Sequence, residues 1–221
     1  MIKLSKRLQL VASFVPDNSY LIDVGCDHAF LDIYLYNNLK NIKILATDIN
    51  ENPLKIAEEN INKYGLKGKI KLKQQDGIIN LDKEIDTIVI AGMGGILISD
   101  ILSQKEYLEN IKTIIVSPNN DFEIVRKTLS KIGFMIQKEA LITEKKITYL
   151  VIRAKRGKQK RINYFFGTLK ANNLEVIYYY TKLLQINTKI LKKLPKKYIF
   201  KKWKLKNQNR RIKNFLKKCE F

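Results

Sequence analysis

The 221-residue sequence contains two cysteines, one histidine, one tryptophan and four prolines, and each scarcity removes a class of protein. Cys26 and Cys219 are too few for a disulfide framework, which excludes the small disulfide-stapled secreted scaffolds. With His28 as the only histidine, the chain offers no plausible ligand set, so no metal is expected. Long apolar runs are missing as well. The longest uncharged stretch, Thr87 to Ser99, has thirteen residues and three glycines, short of the ~20 apolar residues that a membrane-spanning helix needs. At the start, Lys3, Lys6 and Arg7 precede a short apolar stretch, but Leu4, Leu8, Val11 and Val15 recur at helical spacing. That spacing predicts an amphipathic helix in place of a secretory signal, and with it a cytoplasmic location and no membrane partner.

Acidic residues are scarce in one part of the chain only. Residues 1–155 carry 22 Lys and Arg against 19 Asp and Glu, whereas residues 156–221 carry 20 against 2, so +18 of the +21 formal charge lies in the tail. Such a concentration repels itself unless it meets a polyanion, and nucleic acid is the first candidate. A solvated charged face in a lysine-rich chain is the bland alternative, since only seven of the 42 basic residues are arginine. The remainder is ordinary: 45% hydrophobic and 29% charged residues suffice to bury a core.

Apolar β-rich runs at Tyr20–Val24, Ile42–Thr47, Ile70–Gln74, Ile85–Ala91 and Ile111–Ser117 alternate with helical patterns at Ala29–Leu39, Glu51–Tyr64, Gly95–Ser103 and Phe122–Ile132. This alternation predicts a parallel sheet covered by helices on both faces. Two further runs, Phe134–Thr143 and Thr148–Ala154, read as a closing hairpin across residues 144–147. A mostly parallel seven-stranded sheet ending in a hairpin is the arrangement of the class I, Rossmann-like methyltransferase domain. The basic run from Lys155 to Arg161 marks the expected boundary, giving domains 1–155 and 156–221. Beyond it, Leu174, Ile177, Tyr178, Leu184, Ile190, Leu191 and Leu194 predict one long helix stopped by Pro195. A second, from about Tyr198 to Lys218 with Trp203, Leu205, Ile212, Phe215 and Leu216, is expected to pack back on the first, its aromatics read as core with base-stacking platforms as the alternative.

Asp23-Val-Gly-Cys-Asp-His28 follows the first strand and opens the first crossover helix. A dinucleotide site would show G-x-G-x-x-G here, but the second and third glycines are missing. Asp23 and Asp27 would repel a pyrophosphate, whereas S-adenosylmethionine has none and carries two cationic groups. Asp48, before Ile49, ends the second strand and suits the two ribose hydroxyls, although it also reads as a residue before a helix. Asp76-Gly77 follows the third strand and suits the adenine amino group. Ala91-Gly-Met-Gly-Gly95 follows the fourth, where Gly92 and Met93 let the backbone approach a ligand closely. Ser117-Pro-Asn-Asn120 follows the fifth. No Asp/Asn-Pro-Pro-aromatic motif stands after the fourth strand, so the target atom is not expected to be an exocyclic amine.

Leu4-Ser-Lys-Arg-Leu8, Asp23-Val-Gly-Cys-Asp-His-Ala-Phe30, Asp76-Gly77, Ala91-Gly-Met-Gly-Gly95 and Pro118-Asn119 together resemble the bacterial tRNA (adenine-N1)-methyltransferases of the TrmK family. The resemblance covers about residues 1–155. It implies methyl transfer from S-adenosylmethionine to N1 of an adenine at tRNA position 22, in the D-arm, with a helical, coiled-coil-like C-terminal domain. Two departures stand out: Cys26 sits where serine is common, and Leu31-Asp32 replaces a Leu-Pro pair. Asp27, His28 and Asn119 become the catalytic candidates. Asp27 would stabilise the cationic product or hold the adenine amino group. His28 either orders the loop or handles a proton, and Asn119 either meets the base edge or serves as a turn or cap residue. Asp23, Gly25, Cys26, Asp48, Ile49, Asp76, Gly77, Gly92 and Met93 are the expected cofactor contacts, with Cys26 a small core residue and not a nucleophile. Arg7, Lys155, Arg156, Lys158, Lys160, Arg161, Lys201, Lys202, Arg210 and Arg211 are the expected tRNA contacts. Methylation of ribosomal RNA, or RNA binding by a degenerate methyltransferase fold, are the alternatives; a monomer is favoured.

Overall fold

The computed structural model describes residues 2–195 and 197–217; Lys218 and Cys219 lie outside them. The chain divides into two compact units, Met1–Thr168 and Leu169–Phe221, a division later than the boundary expected at 155. Residues 157–168 belong with the first unit because its buried Arg126 holds them: Nη1 donates to the carbonyls of Tyr164 at 2.9 Å and Phe165 at 3.0 Å.

The first unit is built on one seven-stranded sheet in the order β3-β2-β1-β4-β5-β7-β6. Strands β1 (Tyr20–Val24), β2 (Lys43–Asp48), β3 (Ile70–Gln74), β4 (Thr87–Ala91) and β5 (Thr113–Ser117) run parallel. Strands β6 (Phe134–Glu144) and β7 (Ile147–Arg156) form the antiparallel finish, with a bulge between Ile136 and Lys138. Every residue of β1 and β5 is buried, as a central parallel strand covered on both faces requires. At the edge, β3 exposes Lys71 and Lys73, charges that discourage pairing with another strand. The hairpin turn is tighter than the sequence suggests: only Lys145 and Lys146 separate the strands, both at positive φ (48° and 66°), the geometry of a two-residue hairpin turn.

Helix α1 (Lys6–Ala12) starts where the Ser5 hydroxyl accepts the Leu8 N–H at 3.3 Å. The crossover helices are α2 (Phe30–Asn38), α3 (Glu51–Lys63), α4 (Gly95–Leu102) and α5 (Phe122–Lys131). In the second unit, α6 (Leu174–Lys193) begins at Asn173, whose side chain accepts the N–H groups of Glu175 and Val176 at 2.9 and 3.4 Å. Helix α7 (Ile199–Leu216) returns antiparallel to it, since Tyr180 meets Phe215 with ring centroids 5.2 Å apart while Asn187 bonds Gln208 and Asn209 at 2.9 and 3.0 Å. Trp203 does not join this seam. The seam runs through Ile212 and Phe215, and Trp203 projects from another side of the helix, 61% exposed. The expectation of a core tryptophan is therefore corrected.

The first unit also contains an ion pair that periodicity does not reveal. Arg126 on α5 and Glu139 on β6 are 2.6 Å apart, with side chains 1% and 0% exposed. Glu139 also accepts the Thr168 hydroxyl at 3.0 Å, so the pair fastens the end of the unit to its sheet. Breaking one side of a buried pair strands the other charge, at about 3–5 kcal/mol. Arg126→Met should lower stability by that amount in urea denaturation followed by circular dichroism, and Arg126→Met/Glu139→Met should recover most of the loss.

Candidate functional site

Five parallel strands deliver their following loops to one edge of the sheet, and a cavity of about 520 Å³ opens there, within the usual size for small-ligand sites. It is lined by Asp23 near the end of β1 and Gly25, Cys26, Asp27 and His28 after it, Asp48 at the end of β2 and Ile49 after it, Asp76 and Gly77 after β3, and Gly92 and Met93 after β4. Arg7 of α1 reaches it as well. Phe30, Asn50, Gln75, Leu97 and Ile101 also line it, positions that strand-edge reasoning passes over. The acids differ in their surroundings. Asp76 is exposed, and Asp48 is half-buried with one carboxylate oxygen accepting the Asn50 N–H at 2.9 Å.

The β1 loop is shaped by backbone in left-handed conformations at Gly25, Asp27 and Ala29 (φ 76°, 53° and 55°). At Gly25 the positive φ favours glycine, while a Cβ there would meet only the methyl end of Met93, which can move aside. The N–H groups of Gly25 and Cys26 both donate to the Thr47 carbonyl, at 2.8 and 2.9 Å, tying this loop to β2. Asp27 is 73% exposed and points away from the core, its carboxylate 3.5 Å from His28 Nδ1. The His28 carbonyl accepts from Asn60 of α3 at 3.0 Å, and its ring meets Phe30 edge-on.

Asp23 is nearly fully buried, and its neighbour is Asp32, wholly buried in the first turn of α2. A hydrogen bond between two carboxyls requires that one keep its proton. Burial, then the charge of Asp32 and the bond to it, raise Asp23 well above the ordinary carboxylate range. Burial also pushes Asp32 up to about 7, partly offset by its own backbone N–H and by the bond with Asp23. Burial and the same acids drive the Cys26 thiol far upward, so it is no thiolate nucleophile. In the sequence Asp32 stands out only as a departure, where Leu31-Asp32 replaces a Leu-Pro pair.

The loop after β4 is held from the loop after β5. Asn119 Nδ2 donates to the Gly92 carbonyl at 2.6 Å, its N–H to the Met93 carbonyl at 2.9 Å, and Asn120 Oδ1 accepts the Gly95 N–H at 2.9 Å. Asn119 is outside the cavity wall and is not a helix cap, since Asp121 precedes α5. Arg7 lies over the Tyr149 ring at 5.1 Å, its guanidinium 3.3 Å from where a Cβ of Gly92 would stand.

The expected RNA contacts separate. Lys155 and Arg156 end β7 at the opposite edge of the sheet, Lys155 being paired with Thr113 at the start of β5. Arg156 donates from Nε and Nη2 to the carbonyls of Ile111, Leu108 and Glu109 and covers the Phe134 ring, so it fastens a loop with three of its five N–H donors. Lys158, Lys160 and Arg161 follow it and are exposed. In the second unit Lys201 and Arg210 are exposed, Lys202 and Arg211 half-buried. Among the described residues there is no cluster of potential metal ligands and no helix long and apolar enough to cross a membrane.

The family described as "Methyltransferase domain" matches residues 4–152. A Bacillus subtilis tRNA (adenine(22)-N(1))-methyltransferase is 37% identical over 158 residues, which make up 71% of this chain and 66% of that enzyme, just under two thirds of its length. A Streptococcus pneumoniae structure, provisionally described as a tRNA (m1A22) methyltransferase in complex with S-adenosyl-L-methionine, is 30% identical, with a TM-score of 0.87 over 97% of this chain and 100% of that one. M. capricolum TrmK bound to S-adenosyl-homocysteine is 29% identical, with a TM-score of 0.87 over 97% of this chain and 98% of that one.

The buried carboxyl pair gives a pH signature. An unfolded aspartate loses its proton near pH 4, whereas Asp32 in the folded chain keeps it to about pH 7. The folded state thus binds more protons between these values, and stability falls as pH rises through that window. Asp32→Asn should flatten the fall, giving a urea midpoint above that of the parent chain at pH 8 and little different at pH 4.

Proposed function

The chain belongs to the TrmK family of tRNA (adenine-N1)-methyltransferases, and from that premise we propose that it transfers the methyl group of S-adenosylmethionine to N1 of the adenine at position 22 of tRNA, in the cytoplasm. The observation that carries the reading is the single cavity on which Gly25, Asp27, Asp48 and Asp76 converge. Its donor set fits this cofactor. The carboxylates of Asp48 and Asp76 suit hydroxyl and amino donors and, with Asp27, outnumber the one arginine of the wall, Arg7, so the site favours a cationic ligand over a pyrophosphate.

When bound, S-adenosylmethionine supplies a methyl group on a positively charged sulfur. Asp48 would accept the ribose hydroxyls and Asp76 the adenine amino group, with Ile49 a further contact in the same wall. Asp27 stands at the mouth with its charge exposed, where it opposes the positive charge that develops on the target base. His28 orders the loop that carries Asp27, through its carbonyl held by Asn60. Because adenine N1 already presents a lone pair, placement does most of the work and no base is needed to create the nucleophile. Asn119 acts from behind by fixing the Gly92–Met93 wall. Arg7, Lys158, Lys160 and Arg161 of the first unit, with Lys201, Lys202, Arg210 and Arg211 of the second, are the proposed phosphate contacts.

The direct test is methylation of unmodified tRNA by the purified chain, followed by mass-spectrometric nucleoside mapping. 1-Methyladenosine at position 22 is expected, and a product elsewhere would overturn the reading. Asp48→Ala should weaken S-adenosylmethionine binding at least tenfold in calorimetry, since charge-assisted hydrogen bonds contribute about 1.5–3 kcal/mol each. Asp27→Asn keeps a residue type that tolerates the left-handed backbone at this position (φ 53°). Turnover should fall by more than cofactor affinity in that variant, and equal losses would confine Asp27 to the cofactor.

A further inference from the structure

We propose that Phe200 and Trp203, at the start of α7, form a stacking platform for an unpaired base of tRNA. The proposal rests on the reading of the chain as a tRNA methyltransferase and adds a base-contacting site to its second unit. The two side chains are 76% and 61% exposed. Three residues apart on a helix, they share a face, and their rings are already stacked, with centroids 6.0 Å apart and planes inclined by 27°. The seam with α6 uses Ile212 and Phe215 instead, so the pair is not a by-product of helix packing.

Its surroundings say what it is for. Lys201, Lys202 and Lys204 interleave with the aromatics, and Lys197 sits over the Tyr198 ring at 5.5 Å. Between Ile199 and Leu216 there is no acidic residue to neutralise them. A ligand matching this surface must bring a flat apolar face and negative charge together. An unpaired nucleotide does both: its base extends the existing stack and its phosphates meet the ammonium groups. A lipid surface brings apolar matter and charge too, but a helix lying in a membrane needs an apolar stripe along its length. The exposed apolar residues of α7 stop at Trp203, and Lys204, Lys206, Arg210 and Lys213 are the exposed residues after it, with Asn214.

Trp203 is the only tryptophan in the chain, so its fluorescence reports on the platform directly. Titrating the full chain with tRNA should quench that emission by more than half, in step with binding. Phe200→Ala/Trp203→Ala should weaken tRNA binding by about tenfold or more, the loss of one base stack, with calorimetric affinity for S-adenosylmethionine unchanged. The salt dependence of tRNA binding should keep its slope, because stacking releases no counterions, whereas Lys201→Ala/Lys202→Ala/Lys204→Ala should lower it. Trp203→Phe should restore most of the affinity lost by Trp203→Ala. Unquenched emission, with the double alanine variant binding as tightly as the parent, overturns the platform and leaves the phosphate-binding reading of the lysines standing. Failure of the full chain to bind tRNA overturns both. A blue shift of Trp203 on phosphatidylglycerol vesicles, without quenching by tRNA, overturns the platform in favour of a lipid surface.

Discussion

Parallel pairing is the constraint from which the rest of the first unit follows. Because β1 lies in register between β2 and β4, with Asp23 opposite Ala46 on one side and Val89 on the other, the loops after all three strands must emerge together. The strand order reverses beside β1, where two loops part and leave a crevice. Residues from 23 to 93 in the sequence therefore share one wall, and the wall is made mostly of loops whose only common property is the strand end they follow. The antiparallel finish uses the opposite logic. Its turn returns to the cavity edge, where Glu144 accepts the Lys6 N–H at 3.2 Å, so the sheet's far strands anchor the opening helix that carries Arg7.

The electrostatics of the cavity differ from a simple row of negative charges. Asp27, Asp48 and Asp76 are accessible to solvent, whereas Asp23 is buried, and burial with its neighbour Asp32 raises its pKa well above the ordinary carboxylate range. In the low-dielectric interior two adjacent carboxylates cannot both stay ionised. A pair that holds one proton keeps a single negative charge, so the buried acids are less anionic than the exposed ones at the mouth. That gradient suits a ligand whose positive charge lies toward the mouth, beside Asp27.

Much of this was legible in the sequence. The five parallel strands, their crossover helices and the hairpin follow from period and punctuation, because buried strands read as apolar runs and glycine or aspartate closes them. The cavity wall followed from the same reasoning, since ligands of open α/β sheets bind where loops leave the strands. What periodicity could not show are pairings between distant polar residues. Arg126 and Glu139 look like surface charges on a helix and a strand until the fold buries both. Arg156 sits in a basic run that reads as a linker, yet it gathers three carbonyls at the edge away from the cavity. Trp203 was assigned to the core by its type, and only the position of the seam along α7 places it outside.

The two asparagines after β5 bear on when disorder is given up. A run with three glycines would ordinarily sample many backbone shapes, and an incoming ligand would have to select one, losing affinity to the ordering. Here the Gly92 carbonyl and the Gly95 N–H are tied to Asn119 and Asn120. The conformational entropy of this segment is surrendered during folding, before any ligand arrives, and the wall that meets the ligand already has its final shape.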